Sequence, residues 1–99
     1  MESGAWTAVE TSTLTGQTHV ITVSGRPEKQ SRSQNGFLTE AEPQGINPKI
    51  LILDLHLFEA KDGGAPVVWG KKIAAGEYTE VTIRGDGDDK TVGVEQVYS

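Results

Sequence analysis

The chain contains no cysteine. This absence excludes a disulfide framework, a thiolate metal site and a cysteine nucleophile, so the hydrophobic core must stabilise the fold unaided. Long apolar runs are also missing, since none approaches the roughly 18 to 20 residues that a membrane-spanning helix needs. The first residues have neither the basic nor the apolar region of a secretory signal. We therefore expect a soluble protein without a membrane partner, and its cellular compartment stays open.

Positive charge is scarce as well. The chain has 9 Lys and Arg residues against 14 Asp and Glu residues, which gives a formal net charge of -5 at pH 7. Binding to a phosphate backbone needs clustered cations. The densest basic group runs from Arg26 to Arg32, contains Glu28 and has no aromatic residue to stack on a base. We predict an exposed polar loop over residues 26–36 and no nucleic-acid partner.

Short β-type segments separated by turn residues make up most of what is present. The 99 residues fit one domain. Threonine, valine and isoleucine favour strands, and the turn spacing is typical of a sandwich or small barrel. We predict an all-β fold over residues 1–99, a single antiparallel β-sandwich of about seven strands. The expected strands cover residues 6–11, 18–24, 37–42, 50–61, 67–73, 78–84 and 90–97. In the sixth strand, Val81 and Ile83 should face the core and Tyr78 the solvent.

The most apolar segment is the run over residues 50–61. Side chains alternate between the two faces of a strand. One face would carry only leucines, and the other would carry Ile50, Ile52, Asp54, His56 and Phe58. The alternative is an α+β fold with residues 48–61 helical, because Asn47 could cap a helix that Pro48 begins and Gly63 ends. The strand is preferred, since leucines and isoleucines would lie on every side of that helix.

One segment carries a resemblance to known proteins. Residues 42–48 read Glu-Pro-Gln-Gly-Ile-Asn-Pro, and the apolar run follows them. This segment is similar to that of short bacterial proteins of unknown function in which E-P-Q-G-I-N-P precedes an apolar strand. The resemblance covers about the middle fifth of the chain. It implies a bacterial β-protein and no particular activity.

Asp54 and His56 form the closest pairing of an acid with an imidazole. Two residues apart on one strand face, a carboxylate could orient an imidazole, or both could reach one metal ion. Catalysis would also need a nucleophile or substrate within hydrogen-bond reach, and a metal site would need further ligands, with His19 the only other histidine. The preferred interpretation is structural: both side chains lie on a partly exposed sheet face or satisfy each other and nearby backbone.

Three other groups have plain interpretations. Residues 85–89 hold three aspartates that calcium could use, but they lack the spacing of an EF-hand loop and suit a simple hairpin turn. The tripeptide Arg84-Gly85-Asp86 resembles the integrin-binding motif, and such short matches often arise by chance. The larger aromatic residues could form a sugar or peptide platform if they converged on one face, but we expect them to fill the core. These residues are Trp6, Trp69, Tyr78 and Tyr98.

The sequence therefore predicts a non-catalytic interaction or structural module with no cofactor, metal or catalytic residues. A protein partner would bind an edge strand or an exposed face, where an apolar or aromatic patch is expected. The alternatives are a small-ligand or metal-binding protein, or a hydrolytic enzyme, centred on Asp54 and His56.

Overall fold

Seven β-strands form the part of the protein that the structure describes. The computed structural model describes residues 6–13, 16–27 and 30–98, except for the side chain of Tyr98. The strands are β1 (Trp6–Ser12), β2 (His19–Gly25), β3 (Gln34–Glu40), β4 (Ile50–Glu59), β5 (Val67–Ile73), β6 (Glu80–Arg84) and β7 (Lys90–Tyr98). The described residues contain no helix, and so none that could cross a membrane. The predicted all-β class and strand number are confirmed, and the helical alternative for residues 48–61 is wrong because β4 occupies most of that segment.

The strands belong to one mixed sheet with the order β3-β4-β6-β7-β1-β2-β5. Antiparallel ladders join β1 to β2, β2 to β5, β3 to β4 and β6 to β7. The β6–β7 hairpin lies between β4 and β1 and pairs with both in parallel. The predicted antiparallel pairing is confirmed at four of the six junctions, and the other two are parallel because the last hairpin joins the other strands into one continuous sheet. That sheet curls nearly into a barrel.

The two edge strands, β3 and β5, lie beside each other where the barrel nearly closes. Lys71 Nζ on β5 lies 3.1 Å from Glu40 Oε1 on β3 and 5.8 Å from the centre of the Tyr78 ring. Burial opposes the charge of Lys71, but the contacts with Glu40 and Tyr78 raise its pKa overall. An ion pair therefore spans the seam between the edges.

All seven strands contribute to a single core. In β4 the predicted alternation is confirmed: Leu51, Leu53 and Leu55 are buried, whereas His56 and Phe58 are exposed. Successive side chains of a strand point to opposite faces of the sheet, so every second residue faces the core and the others face outward. The buried apolar side chains that form this core in the described part of the chain are those of Trp6, Ala8, Ile21, Val23, Leu38, Leu51, Leu53, Leu55, Val67, Val81 and Ile83.

Two local predictions need correction. β3 begins at Gln34, inside the segment 26–36 that was expected to be a loop, because Asn35 and Gly36 pair with Phe58 and Leu57 of β4 instead of forming a turn. A Cβ on Gly36 would lie 3.0 Å from Leu57 Cδ2, so glycine suits this close approach. Tyr78 packs against the core and not toward solvent, since the regular alternation starts only at Glu80.

Candidate functional site

An aromatic cluster lies on the outer face of β3 and β4. Phe37 of β3 stands opposite His56 of β4, and their rings stack with centroids 4.9 Å apart and planes 20° from parallel. The Phe58 ring lies 6.1 Å from that of Phe37. The two phenylalanines remain 48% and 47% exposed. We call Phe37, His56 and Phe58 the aromatic strip. Its residues point away from the core because they occupy the outward positions of both strands.

Polar side chains continue the same face. Arg84 of β6 donates two hydrogen bonds to Asp54 of β4, from Nε to Oδ1 at 2.7 Å and from Nη2 to Oδ2 at 3.1 Å. The bond to Arg84 lowers the pKa of Asp54, and the same contact raises the pKa of Arg84. Thr39 Oγ1 lies 2.8 Å from His56 Nε2 and completes the row between the strip and the ion pair.

The structure therefore places Asp54 and His56 on one outer face, as predicted, but gives each a different partner. The carboxylate is held by Arg84 and the imidazole by Thr39 and the Phe37 ring. Within the described residues, no group of three or more histidine, aspartate or glutamate side chains is placed to hold a metal ion. The arrangement makes a mixed aromatic and polar surface.

A loop over residues 41–49 covers the other end of this face. The Gln44 side chain accepts a hydrogen bond from Ile52 N at 2.8 Å and donates one to Ile52 O at 2.9 Å, as a neighbouring strand would. Gly45 lies against the Ile52 side chain, where an added Cβ would approach Cδ1 to 3.0 Å. The apolar outer residue Ile52 is thus half-buried, whereas the aromatic strip stays half-exposed.

The hairpin tip after β6 does not present its aspartates and the tripeptide 84–86 as one exposed group. Asp86 is fully buried and accepts a hydrogen bond from the indole Nε1 of Trp6 at 3.3 Å. Lys90 Nζ donates to the backbone oxygens of Asp86 and Asp88. Because Asp86 is inside and Arg84 is paired with Asp54, the tripeptide 84–86 is not presented as an integrin-binding motif would be. Because Asp86 is buried, the three aspartates of residues 85–89 do not form one exposed group that could hold a calcium ion.

The aromatic platform that the sequence suggested as an alternative does not form from its described members. Trp6 is buried, Trp69 and Tyr78 pack against the core, and the side chain of Tyr98 lies outside the described part of the chain. The exposed aromatic surface comes from Phe37 and Phe58 instead. The alternation of β4 placed Phe58 outward, but the register that sets Phe37 opposite His56 is a contact between strands and has no signal in the sequence.

A second polar pair, Glu10 and His19, was not predicted from the sequence. Glu10 of β1 is only 3% exposed, and its Oε2 lies 2.8 Å from His19 Nδ1 of β2 and accepts a hydrogen bond from Gly76 N at 3.2 Å. The other oxygen, Oε1, has no hydrogen-bond partner among the described residues. The alternating pattern of β1 places position 10 on the inward face with Ala8, which was the available signal.

Known proteins offer no guide to this surface. No known protein family, curated protein or solved structure matches this chain. The resemblance of residues 42–48 to bacterial proteins of unknown function stays a prediction. The geometry of the site is therefore the guide to function, because a fold alone does not define an activity.

Proposed function

We propose that this protein is a non-catalytic interaction module that binds a protein partner through the aromatic strip. The observation that supports this function is the half-exposure of Phe37 and Phe58 on the outside of the sheet, next to His56. Aromatic side chains bury large areas and often dominate the energy of interfaces. Exposed clusters of such side chains are typical of interaction sites.

The surroundings of the strip suit recognition. The ion pair between Asp54 and Arg84 and the bond between Thr39 and His56 hold neighbouring polar side chains in defined positions. A rigid surface loses little conformational entropy when it binds. The apolar strip with a polar border also matches the usual anatomy of an interface, in which a hydrophobic centre is surrounded by a polar rim.

The face is a better candidate than the sheet edges. An added strand needs a free row of backbone amide and carbonyl groups. Here β3 and β5 are the edge strands, they lie beside each other, and Lys71 is paired with Glu40 across the seam. A partner strand would have to separate them.

Charge and ring chemistry indicate the kind of partner. The protein has a formal net charge of -5, which attracts a basic partner at long range. The faces of Phe37 and Phe58 can receive arginine or lysine by cation–π contact and aromatic side chains by stacking. The partner we propose is therefore a protein segment that combines basic and aromatic residues.

The experiment is a selection from a random peptide library displayed on phage, against the wild-type protein and with depletion on the double variant Phe37→Ser/Phe58→Ser. We expect the enriched peptides to carry arginine or lysine beside tryptophan, tyrosine or phenylalanine. Each should bind the double variant at least about tenfold more weakly, a loss of about 1.4 kcal/mol in binding free energy.

The matched control is Val97→Ser on β7, which removes another exposed apolar side chain, 41% exposed, from a strand that β6 separates from β4. It should leave peptide affinity within about twofold. Enriched peptides that are acidic, or that bind the wild type and the double variant equally, would contradict the proposal. Since Phe37 and Phe58 lie outside the core, circular dichroism should show that both variants stay folded.

A further inference from the structure

A separate polar cleft of about 500 Å³ opens at one end of the barrel. The loop between β2 and β3 forms one wall, with Arg26, Gln30 and Arg32, and the loop between β4 and β5 forms the other, with Lys61 and Gly63. Pro27, Ser31, Asp62 and Gly64 complete the lining. The volume falls within the range of about 300 to 1,000 Å³ that is usual for small-molecule sites.

The charge of this cleft is opposite to that of the whole protein. Three cations, Arg26, Arg32 and Lys61, line it beside one acid, Asp62, although acids outnumber bases by 14 to 9 in the chain. Glu28 and Lys29 belong to the same loop but lie outside the described residues. The basic segment over residues 26–32, which the sequence predicts to be an exposed loop, thus lies against a third cation, Lys61, from a distant part of the chain.

These cations are not neutralised by acids within the described residues. Arg84 is paired with Asp54, and Lys71 with Glu40, whereas neither Arg32 nor Lys61 forms an ion pair with a described carboxylate. Arg26 uses Nη1 to donate to the backbone oxygen of Gly64. The guanidinium of Arg26 therefore fastens one wall to the other and still lines the cleft.

The walls are held together by backbone contacts. Ala60 N donates to Ser33 O at 2.9 Å, Gly64 N donates to Gln34 O at 2.7 Å, and the amide Nε2 of Gln30 donates to both Gln34 O and Ala65 O. Gly63 allows this approach, because an added Cβ would lie only 2.3 Å from Gln34 N. The cations thus lie on two loops that these hydrogen bonds join to each other, and such a site loses less conformational entropy on binding than two separate loops would.

We propose that this cleft binds a small molecule with two or more oxyanion groups, either phosphates or carboxylates. Planar guanidinium groups pair with both kinds of oxyanion through two parallel hydrogen bonds, and a lysine adds a point charge. A multiply charged ligand suits three converging cations, and the acidic remainder of the surface repels it from other positions.

The test is a titration followed by ¹H–¹⁵N NMR at constant ionic strength, with inorganic pyrophosphate in one arm and citrate in the other. We expect at least one of them to shift the amide signals of residues 30–32 and 61–64 and to saturate; the arm that binds identifies the phosphate or the carboxylate source. Arg32→Gln and Lys61→Gln should each weaken binding at least about fivefold, and the double variant should abolish it.

Lys72→Gln is the matched control, because it removes the same charge from an exposed lysine on β5 that does not line the cleft. It should change the dissociation constant less than about twofold. The proposal is overturned if neither anion saturates, if shifts spread equally over Lys49, Lys72 and the cleft, or if Lys72→Gln weakens binding as much as Arg32→Gln. The dispersion of each variant's spectrum reports whether it is folded.

Discussion

At the scale of single residues, His19 and His56 differ in what surrounds their rings. His19 contacts the carboxylate of Glu10, which is almost completely buried and has one oxygen without a hydrogen-bond partner among the described residues. His56 is exposed and bonds to the hydroxyl of Thr39. Removing a hydrogen-bond partner from a buried carboxyl group costs far more than removing an exposed contact, because water cannot replace the lost partner.

We therefore expect His19→Ala to lower the free energy of unfolding by about 2–4 kcal/mol, leaving Glu10 with only the amide of Gly76. His56→Ala, the matched control, should cost about 1 kcal/mol or less, mainly through the lost stack on Phe37. Urea denaturation followed by tryptophan fluorescence measures both. Equal losses in the free energy of unfolding would show that the contact of His19 with Glu10 adds no more stability than the exposed contacts of His56.

The ion pair on the outer face makes a pH-dependent contribution. The bond to Arg84 lowers the pKa of Asp54 from its usual value of 3.8. A lowered pKa means that the pair stabilises the fold above pH 3.8, and that this contribution disappears as the pH falls through the pKa of the folded state.

NMR titration of the Asp54 carboxyl carbon should give a midpoint below 3.8 in the wild type and a higher one in Arg84→Gln. The stability difference between the two proteins should be present at neutral pH and vanish at pH values below that midpoint. Arg32→Gln, which removes a guanidinium remote from Asp54, should leave the titration unchanged. Identical midpoints in the wild type and Arg84→Gln would show that Arg84 does not lower the pKa of Asp54.

At the scale of elements, the loop after β4 depends on Gly63. An added Cβ would lie 2.3 Å from Gln34 N and 2.7 Å from Arg32 O, both backbone atoms that cannot move alone. Gly63→Ala should therefore lower the free energy of unfolding by about 2–3 kcal/mol and enlarge the separation of the two loops.

Gly93→Ala on β7 provides the comparison, because an added Cβ there meets no atom within 4 Å. It should be neutral or stabilise the protein by up to about 1 kcal/mol, since alanine restricts the unfolded chain. Chemical denaturation of both variants gives the result. A Gly63→Ala protein as stable as Gly93→Ala would mean that the two loops do not touch in solution.

The individual strands also show which features of the fold could be predicted from the sequence. The inward leucines and outward His56 of β4 follow from alternation alone, and every predicted strand has a counterpart. The start of β3 could not be predicted, because Asn35 and Gly36 carry a turn signal that pairing with Phe58 and Leu57 overrides. The parallel junctions of β6 and β7 join distant segments, and local sequence carries no record of such contacts.

The same distinction applies to the candidate sites. Asp54 and His56 were predicted to share a face from their spacing, but their partners Arg84 and Thr39 come from other strands. Arg26 and Lys61 are 35 positions apart and meet in one cleft only through the pairing of β3 with β4. Sequence patterns thus indicated which way side chains point, and the register between strands determined which of them meet.

At the scale of the whole molecule, two surfaces of different chemistry lie close together. The aromatic strip covers the outside of β3 and β4, and the cationic cleft lies where β3 begins and β4 ends. The overall charge of -5 should speed the approach of a basic partner to the strip. The association rate constant of a selected basic peptide, measured by stopped flow, should therefore fall as salt is added. A rate constant that is independent of salt would contradict electrostatic attraction between the protein and the peptide.

The most direct test of the interaction face uses the two phenylalanines of the chain, Phe37 and Phe58, as reporters. In a protein with ¹³C-labelled phenylalanine rings, the aromatic ¹H–¹³C spectrum contains signals from these two side chains alone. Titration with a selected basic and aromatic peptide should shift both ring systems and saturate at the same dissociation constant as the binding assay, while the buried indole of Trp6 stays unchanged. If the peptide binds and neither phenylalanine ring responds, the aromatic strip is not the binding surface.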